Sequence, residues 1–328
     1  MNVVTIIVAL ASALLVPAVF LVYMFLTEKA VAGKAGAGLR VKKALPVLWL
    51  VPALVMLLFF LVYPIINTIV VSFMNADSSG FVGVTNYASL FSDETVLVAL
   101  RNNVLWLVVF TLVTVTLGLL LAVLADRVKY EVAAKALLFL PASISLVAAG
   151  VIWKFMYAYR PAGEPQIGTL NAVLTAVIPG FAPRAWLFDV PFNNWALMIV
   201  GIWIWTGFAL VIFSASLKGI PRELLEAARI DGAGEATIFF RILLPLMSKT
   251  VTVVVTFFII TVLKIFDIVY VMTNGNLGTE VIANRMYKEM FSFRNFGRAG
   301  AIAVLLLVAV VPVVVANIRK FARRKGAK

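Results

Sequence analysis

Long apolar stretches constrain this sequence more than any other feature. A helix needs about 20 predominantly apolar residues to cross a bilayer. Candidate spans lie at roughly 3–26, 45–74, 102–125, 136–159, 196–217, 247–272 and 299–318. Hydrophobic residues make up 63% of the chain, whereas soluble domains contain roughly 45–50%. The sequence therefore predicts an all-α integral membrane protein with about seven transmembrane helices.

The distribution of basic residues predicts the orientation. Most lysines and arginines lie in the loops at 27–44, 126–135 and 218–249 and in the C-terminal tail, while the alternate loops hold few. Because cytoplasmic loops are enriched in Lys and Arg, we expect the N-terminus outside and the C-terminus in the cytoplasm. The loop at 273–298 fits least well, since it holds most of the outer cations. The net charge of +13 is then topological, and no nucleic-acid partner is expected.

The residue types present exclude several kinds of chemistry. Cysteine and histidine are both absent, which removes disulfides, thiol nucleophiles, histidine catalysis and His/Cys metal sites. An ion-coupled secondary transporter usually needs ionisable groups deep in the membrane, and the one clear intramembrane acid is Asp267. A membrane enzyme needs a nucleophile and a base, and no such constellation stands out. Both classes remain as alternatives to a transport subunit without catalysis of its own.

The loop at 218–246 reads as a helix–turn–helix elbow on the cytoplasmic side. Pro221 suits the first position of a short helix, and Gly232 can adopt the left-handed conformation that ends one. A second helix, Glu235–Leu244, is expected to stop before Pro245. Glu226 and Asp231 project to different sides of the elbow and fit a docking surface better than an acid–base pair. On these grounds alone, the elbow could also be an ordinary connector.

The same loop carries a motif. The segments Glu226-Ala227-Ala228, Asp231-Gly232-Ala233 and Ile242-Leu243-Leu244-Pro245 together resemble the EAA motif of ABC importer permeases. Further segments at 63–68, 86–87, 140–141 and 270–275 resemble maltose-type sugar permeases of the bacterial inner membrane. The segments at 203–208, 263–270 and 278–287 are most similar to alpha-glucoside permeases. The resemblance covers residues 45–328 as the permease domain and leaves 1–44 as an extra helix with a basic linker.

The resemblance implies a function and a set of partners. The elbow becomes a coupling helix whose docking residues are Glu226, Ala227, Ala228, Asp231 and Gly232. The chain contains no phosphate-binding Gly-rich loop, so ATP and Mg²⁺ are expected on two partner ATPase subunits, with no cofactor bound by this chain. A second homologous permease, forming a heterodimer, and an extracytoplasmic sugar-binding protein complete the expected importer. The expected cargo is an alpha-glucoside of the maltose, trehalose or sucrose class; another sugar, a polyol or glycerol phosphate are the alternatives.

The resemblance also suggests a substrate pathway, because a sugar site needs aromatic faces and a few polar groups in a cavity. The candidate pathway residues are Trp205, Thr206, Phe208, Phe258, Thr261, Val262 and Ile265. Gly207 lies among them and would allow close approach of another segment. Lys264 and Asp267 stand three apart on the expected sixth span, where they could form a structural or gating ion pair.

Overall fold

The structure is a computed structural model that describes residues 18–29 and 39–325. In these ranges the chain is helical, and its one β-bridge joins Met74 to Phe81. The chain forms two compact units, Met1–Val70 and Val71–Lys328. This confirms the predicted all-α class.

In the first unit, the described residues form a helical stretch and a long apolar helix. Helix α1 covers 18–29. Helix α2, Leu39–Leu57, continues through a π-helical turn, Leu58–Val62, into α3, Tyr63–Val71. The stretch Val47–Val71 is long and apolar enough to span a membrane. Most of the predicted span at 3–26 lies outside the described residues, so the total of seven helices stays a prediction.

The second unit begins with two short helices and continues through the remaining spans. Its helices are α4 (Thr85–Ser92), α5 (Glu94–Leu105), α6 (Thr111–Ala125), α7 (Glu131–Phe139), α8 (Leu146–Met156), α9 (Thr169–Val177), α10 (Phe192–Lys218), α11 (Arg222–Ile230), α12 (Glu235–Ile238), α13 (Leu244–Leu246), α14 (Ser248–Leu263), α15 (Asp267–Met272), α16 (Ile282–Tyr287) and α17 (Phe296–Lys325). π-Helical turns lie at Trp106–Phe110, Phe239–Leu243 and Lys288–Ser292, and a 3₁₀ turn at Leu140–Ser143.

The described residues supply between four and six spans. Four helices qualify alone: Val47–Val71, Glu94–Ala125, Phe192–Lys218 and Phe296–Ala316. Two further pairs of helices qualify only when each pair is taken together, and they are bent by 99° after Ser143 and by 71° after Leu246. The predicted straight helix at 136–159 is therefore wrong in shape. Ser145 begins a new helix there, because its side chain accepts a hydrogen bond from the amide of Ala148 (3.1 Å) and caps α8.

Helix α10 lies at the centre of the second unit and packs against α6, α7 and α14. Gly207 allows α7 to approach, because an added Cβ would stand 2.0 Å from the carbonyl oxygen of Leu138. The expectation of close approach at Gly207 is thus confirmed, and α10 stays helical through this position.

Buried asparagines fix the loop between α15 and α16. Asn102 of α5 donates to the carbonyls of Gly278 (2.7 Å) and Glu280 (2.8 Å). Asn193, at the start of α10, donates to the carbonyl of Leu277 (2.8 Å). Buried amides that satisfy loop carbonyls hold the backbone in place, so this loop is tied to two spans at once.

The cations that follow this loop are paired locally. Arg285 contacts Asp93 at 3.2 Å and Glu289 at 2.8 Å, and Arg298 also contacts Asp93. Glu289 is 2% exposed, so it needs these partners. Arg285 and Arg298, two of the cations counted in the segment 273–298, are thus neutralised by acidic partners, and the orientation of the termini stays a prediction.

Candidate functional site

The helix of the elbow, α11, forms as the sequence predicts and has well-defined ends. Gly232 adopts φ +81°, which confirms the expected left-handed termination. The amide of Ala233 donates to the carbonyl of Ala228 (2.9 Å), and the amide of Gly232 donates to the carbonyl of Arg229 (3.0 Å). These two bonds form a Schellman motif. Pro221 lies one position earlier than expected, at the N-cap.

Helix α11 is not packed into the core of the chain. It has no buried residue, and Ile230 at its end is 86% exposed. Of the predicted docking residues, Ala228 is partly buried; the others are exposed, namely Glu226, Ala227, Asp231 and Gly232. Most of the predicted docking residues are therefore accessible on the surface of the chain. The docking role of the individual residues stays a prediction.

The second limb of the elbow departs from the prediction. The chain does not stop before Pro245: α12 passes through a π-helical turn into α13, and the bend follows Leu246. Pro245 lies in the first turn of α13, where a missing N–H leaves no helical hydrogen bond unmade. The elbow thus continues directly into the span formed by α14.

Glu235 connects the two limbs, and sequence reasoning missed it. Its carboxylate accepts from Arg229 of α11 (3.1 Å) and pairs with Arg127, which follows α6. Arg127 and Glu235 are about half exposed, at 52% and 50%, so the pair adds little to stability. Together with the Arg229 contact, it joins α11, α12 and the end of α6 through one carboxylate. No local spacing could reveal it, since Arg127 and Glu235 are 108 residues apart.

A second charge cluster lies at the same end of the bundle. Lys135 of α7 contacts Asp126, Glu131 and Ser214, and Lys218 at the end of α10 also contacts Glu131. Ser214 donates to Asp126 at 2.8 Å. These contacts join α6, α7 and α10 immediately before the chain enters α11.

A cleft of about 670 Å³ opens between the two charge clusters and α11. Its lining includes Arg127, Lys218, Arg222, Glu226, Arg229 and Glu235. The cleft is therefore bordered by both signs of charge and by one predicted docking residue, Glu226.

The aromatic part of the predicted pathway forms one cluster. The rings of Trp205 and Phe208 on α10 lie 5.7 Å apart, and Phe258 of α14 lies 6.3 Å from Trp205. Phe257, which sequence reasoning missed, packs at 4.7 Å from Phe208 and 5.5 Å from Trp205. Among the described residues, the indole N–H of Trp205 finds no hydrogen-bond acceptor. Thr206 is 9% exposed and donates to the carbonyl of Ile202 (2.6 Å).

Helix α14 has an inner and an outer face, and the predicted pathway residues divide between them. Phe258 and Val262 have no exposed surface, and Ile265 has 5%, so in this conformation they lie within the chain's own core. Phe257 is 36% exposed, Thr261 is partly exposed and Lys264 is exposed. Residues 257, 261 and 264 recur at helical spacing. Because apolar residues dominate α14, helical periodicity alone does not identify the covered face.

Comparison with known proteins identifies the family of this chain. Residues 39–324 match the family described as "Binding-protein-dependent transport system inner membrane component". The chain belongs to this family. It is therefore a multi-pass inner-membrane permease of an ABC importer, a transport subunit and not an enzyme.

Two curated relatives match the permease over most of their length. The osmoprotective compounds uptake permease protein GgtC of Synechocystis sp. is 54% identical over 274 residues, which are 84% of this chain and 98% of that protein. The alpha-glucoside transport system permease protein AglF of Rhizobium meliloti is 46% identical over 301 residues, 90% of this chain and 89% of that protein. These relatives confirm the resemblance to sugar ABC permeases.

A solved structure supports the fold of the permease. A bacterial ABC transporter involved in the import of the acidic polysaccharide alginate superimposes with a TM-score of 0.73 at 24% identity. The match covers 87% of this chain and 97% of that chain. At this identity, the likeness shows the fold alone.

The expected ion pair between Lys264 and Asp267 is not formed in the permease. Helix α14 ends at Leu263 and α15 begins at Asp267, so the two residues do not share a helix. Both lie in the described part of the chain, and no ion pair joins them there. Lys264 lies at the C-terminal end of α14 and Asp267 at the N-terminal end of α15. Each charge is stabilised there by the helix dipole.

Proposed function

We propose that this permease imports a neutral alpha-glucoside of the maltose, trehalose or sucrose class, driven by separate ATPase subunits. The proposal that import is driven by ATP rests on α11, which has defined ends and no buried residue and follows directly after a span. Two ATPase subunits holding ATP and Mg²⁺, a second homologous permease and an extracytoplasmic sugar-binding protein complete the assembly. This chain then binds no cofactor.

The proposed orientation follows from the position of α11. With α11 in the cytoplasm, the C-terminus is also cytoplasmic, and an additional span within residues 1–44 places the N-terminus outside. Accessibility of a terminal tag in intact cells tests this arrangement. A tag on the N-terminus that is reached only after permeabilisation would contradict the extra span.

The proposed docking is tested by substitutions on α11. Glu226→Lys and Gly232→Val should reduce both co-purification of the ATPase and sugar uptake, because the first reverses an exposed charge and the second cannot adopt φ +81° without strain. Glu164→Lys is the matched control, since it makes the same charge change at an exposed residue of the loop after α8. Normal uptake and normal co-purification in both α11 variants would contradict the docking role.

The exposed face of α14 is the proposed wall of the sugar pathway. Lys264 has no ion-pair partner among the residues that the structure describes, and an unpaired ammonium at the end of a span requires water. Helix α14 has 16 residues, which places Lys264 about 24 Å along the helix from its start. Thr261 and Phe257 share this face, so all three border water if Lys264 does.

The groups on this face fit a neutral, polyhydroxylated ligand. The ring of Phe257 offers a surface for the apolar side of a sugar. The Thr261 hydroxyl donates to the carbonyl of Phe257 (2.9 Å) and keeps its lone pairs to accept hydrogen bonds. Lys264 only donates and Asp267 only accepts. Asp267 begins the next helix, α15, so it carries the opposite charge close to Lys264 in sequence without belonging to the same face.

Cysteine labelling tests which face of α14 borders the pathway, because the chain contains no native cysteine. Thr261→Cys should react with a water-soluble thiol reagent, and excess sugar should slow the reaction. Val262→Cys, one residue away on the buried face, is the matched control and should stay unreactive. Reactivity at 262 but not at 261 would assign the pathway to the face of Phe258 and Val262 and contradict the proposed wall.

Competition for uptake tests the cargo. Trehalose, maltose and sucrose should each reduce uptake of a labelled alpha-glucoside, while glycerol phosphate should not. The relative GgtC, by its name a permease for osmoprotective compounds, favours a second candidate cargo of that kind. If alpha-glucosides fail to compete and an osmoprotective solute succeeds, the second candidate replaces the first while ATP-driven import stands.

A further inference from the structure

The segment between α8 and α10 exposes an unusual amount of apolar surface for a loop. Its exposed large apolar side chains are Ile167, Val173, Val177, Ile178, Phe188 and Val190. Val177 is 71% exposed and Phe188 is 73% exposed. Contiguous apolar surface of this kind usually has a partner other than water.

Helix α9 is held in one orientation by a single buried residue. Asn171 has no exposed surface. Its amide donates to the carbonyls of Arg184 (2.9 Å) and Ala158 (3.2 Å), and its carbonyl oxygen accepts from the indole of Trp186 (3.0 Å). Because these bonds satisfy the amide on one side of α9, the opposite side is turned away from the chain. Val173 and Val177 lie on that outward side, at 52% and 71% exposure.

The outward side of α9 carries no charge. The helix reads Thr-Leu-Asn-Ala-Val-Leu-Thr-Ala-Val, and none of these nine residues is ionisable. A helix that faced only water would normally present charged or strongly polar side chains on its outer side. The sequence of α9 instead suits a boundary between water and an apolar phase.

The apolar surface of the segment is continuous with that of a span. On α10, Phe192, Trp195 and Ile199 are 43%, 45% and 48% exposed, and their spacing places them on one face. Val190 and Phe188, directly before the helix, are also exposed, at 59% and 73%. Lipid covers the exposed apolar face of a span, and aromatic residues such as Trp195 gather where lipid meets water.

We infer that α9 and residues 188–192 lie in the membrane–water interface beside α10, with Val173, Val177 and Phe188 inserted among the lipids. The guanidinium of Arg184 lies 4.5 Å from the ring of Phe192 and 3.8 Å from Asp189, which places a cation at the level of the lipid headgroups. The segment then anchors the adjoining ends of α8 and α10 at a fixed depth. This inference does not depend on the proposed cargo.

Fluorescence quenching in nanodiscs tests the inference, using the importer assembled with its partner subunits. Val177→Cys and Val173→Cys are labelled with an environment-sensitive fluorophore, and Glu164→Cys is the control, since it is an exposed charged residue of the same segment. Lipids with a nitroxide near the headgroup should quench the two valine positions about threefold more than position 164, because an interfacial side chain lies about 5–10 Å inside the boundary. Iodide in the buffer should show the reverse order.

Two results would overturn the inference. Equal iodide quenching at 164, 173 and 177, without nitroxide quenching at the valines, would mean that the face of α9 is in water. Loss of iodide quenching at 177 only after a purified solute-binding protein is added would mean that the face docks a protein. Measuring two valine positions guards against misfolding of one variant, and both must give the same order.

Discussion

Gly207→Ala tests the packing that positions the aromatic cluster. An added Cβ would lie 2.0 Å from the oxygen of Leu138 and 2.7 Å from both its carbonyl carbon and Cα of Phe139. All three atoms are backbone, so no side-chain rotation relieves the contact. Ordinary contact begins at about 3.4 Å, and α7 would have to retreat by more than an ångström. Overpacking of this kind costs about 1–3 kcal/mol.

Gly201→Ala is the matched control on the same helix. Its added Cβ would meet the rings of Phe110 at 3.1 Å and Trp106 at 3.2 Å. A shift of a few tenths of an ångström in these side chains relieves both contacts, so a smaller loss is expected. The two variants therefore compare a backbone obstruction with a side-chain obstruction at two buried positions of α10.

The assay is thermal unfolding of the purified importer in detergent, followed by sugar uptake. A loss of 1 kcal/mol lowers the melting temperature by about 2–4 °C in a chain of 150–250 residues, so Gly207→Ala should melt several degrees lower than Gly201→Ala. Uptake should fall in parallel, because Thr206 and Phe208 flank the altered position. Equal melting temperatures for Gly207→Ala and the unmodified permease would refute the packing argument.

The remaining predictions concern charged groups outside the pathway. Glu235→Gln should lower uptake severalfold, because it removes the charge that pairs α12 with Arg229 of α11 and with Arg127. ATPase co-purification should persist, since exposed pairs add little to stability; equal loss of co-purification would show a docking role instead. Burial raises the pKa of Asp93, but Arg298 and Arg285 outweigh this and lower it below 3.8. Its stabilisation is then complete at neutral pH and is lost only on acidification below that value. The melting temperature should accordingly hold from pH 7 to about 5, and Asp93→Asn should lower it at pH 7; an unchanged value would contradict the role of this pair.

The spans and the elbow were predictable because their signals are local. Apolar length identifies a span, and Gly232 after a short helix predicts its left-handed end. The bend at Ser145 and the break after Leu263 were missed, because apolar composition continues through both. A capping side chain at the first, and packing of α15 against α8 after the second, decide the backbone path there.

The candidate site was less predictable, because it depends on tertiary contacts. The sequence favoured Phe258 and Val262, whereas Phe257 is the ring that remains exposed; which face of an apolar helix is covered depends on neighbouring helices. Glu235 could not be found either, since Arg127 lies 108 residues away. The resemblance selects α14 as a pathway helix, which stays a prediction, while only the assembled bundle distinguishes its covered and exposed faces.

The shapes of α10 and α14 suggest how a movement of α11 reaches the pathway. Helix α10 is unbroken over 27 residues, about 40 Å at 1.5 Å per residue, and carries Trp205 on the same rod that leads into α11. Helix α14 is bent at one end and broken at the other.

We infer that α10 transmits displacement as a rigid element while α14 turns between its two breaks. Spin-label distances should then stay constant along α10 during ATP turnover and change between α10 and α14; a changing distance within α10 would contradict this. Because Phe208 and Phe257 pack at 4.7 Å across that boundary, this contact is where the rotation of α14 would first alter the aromatic cluster.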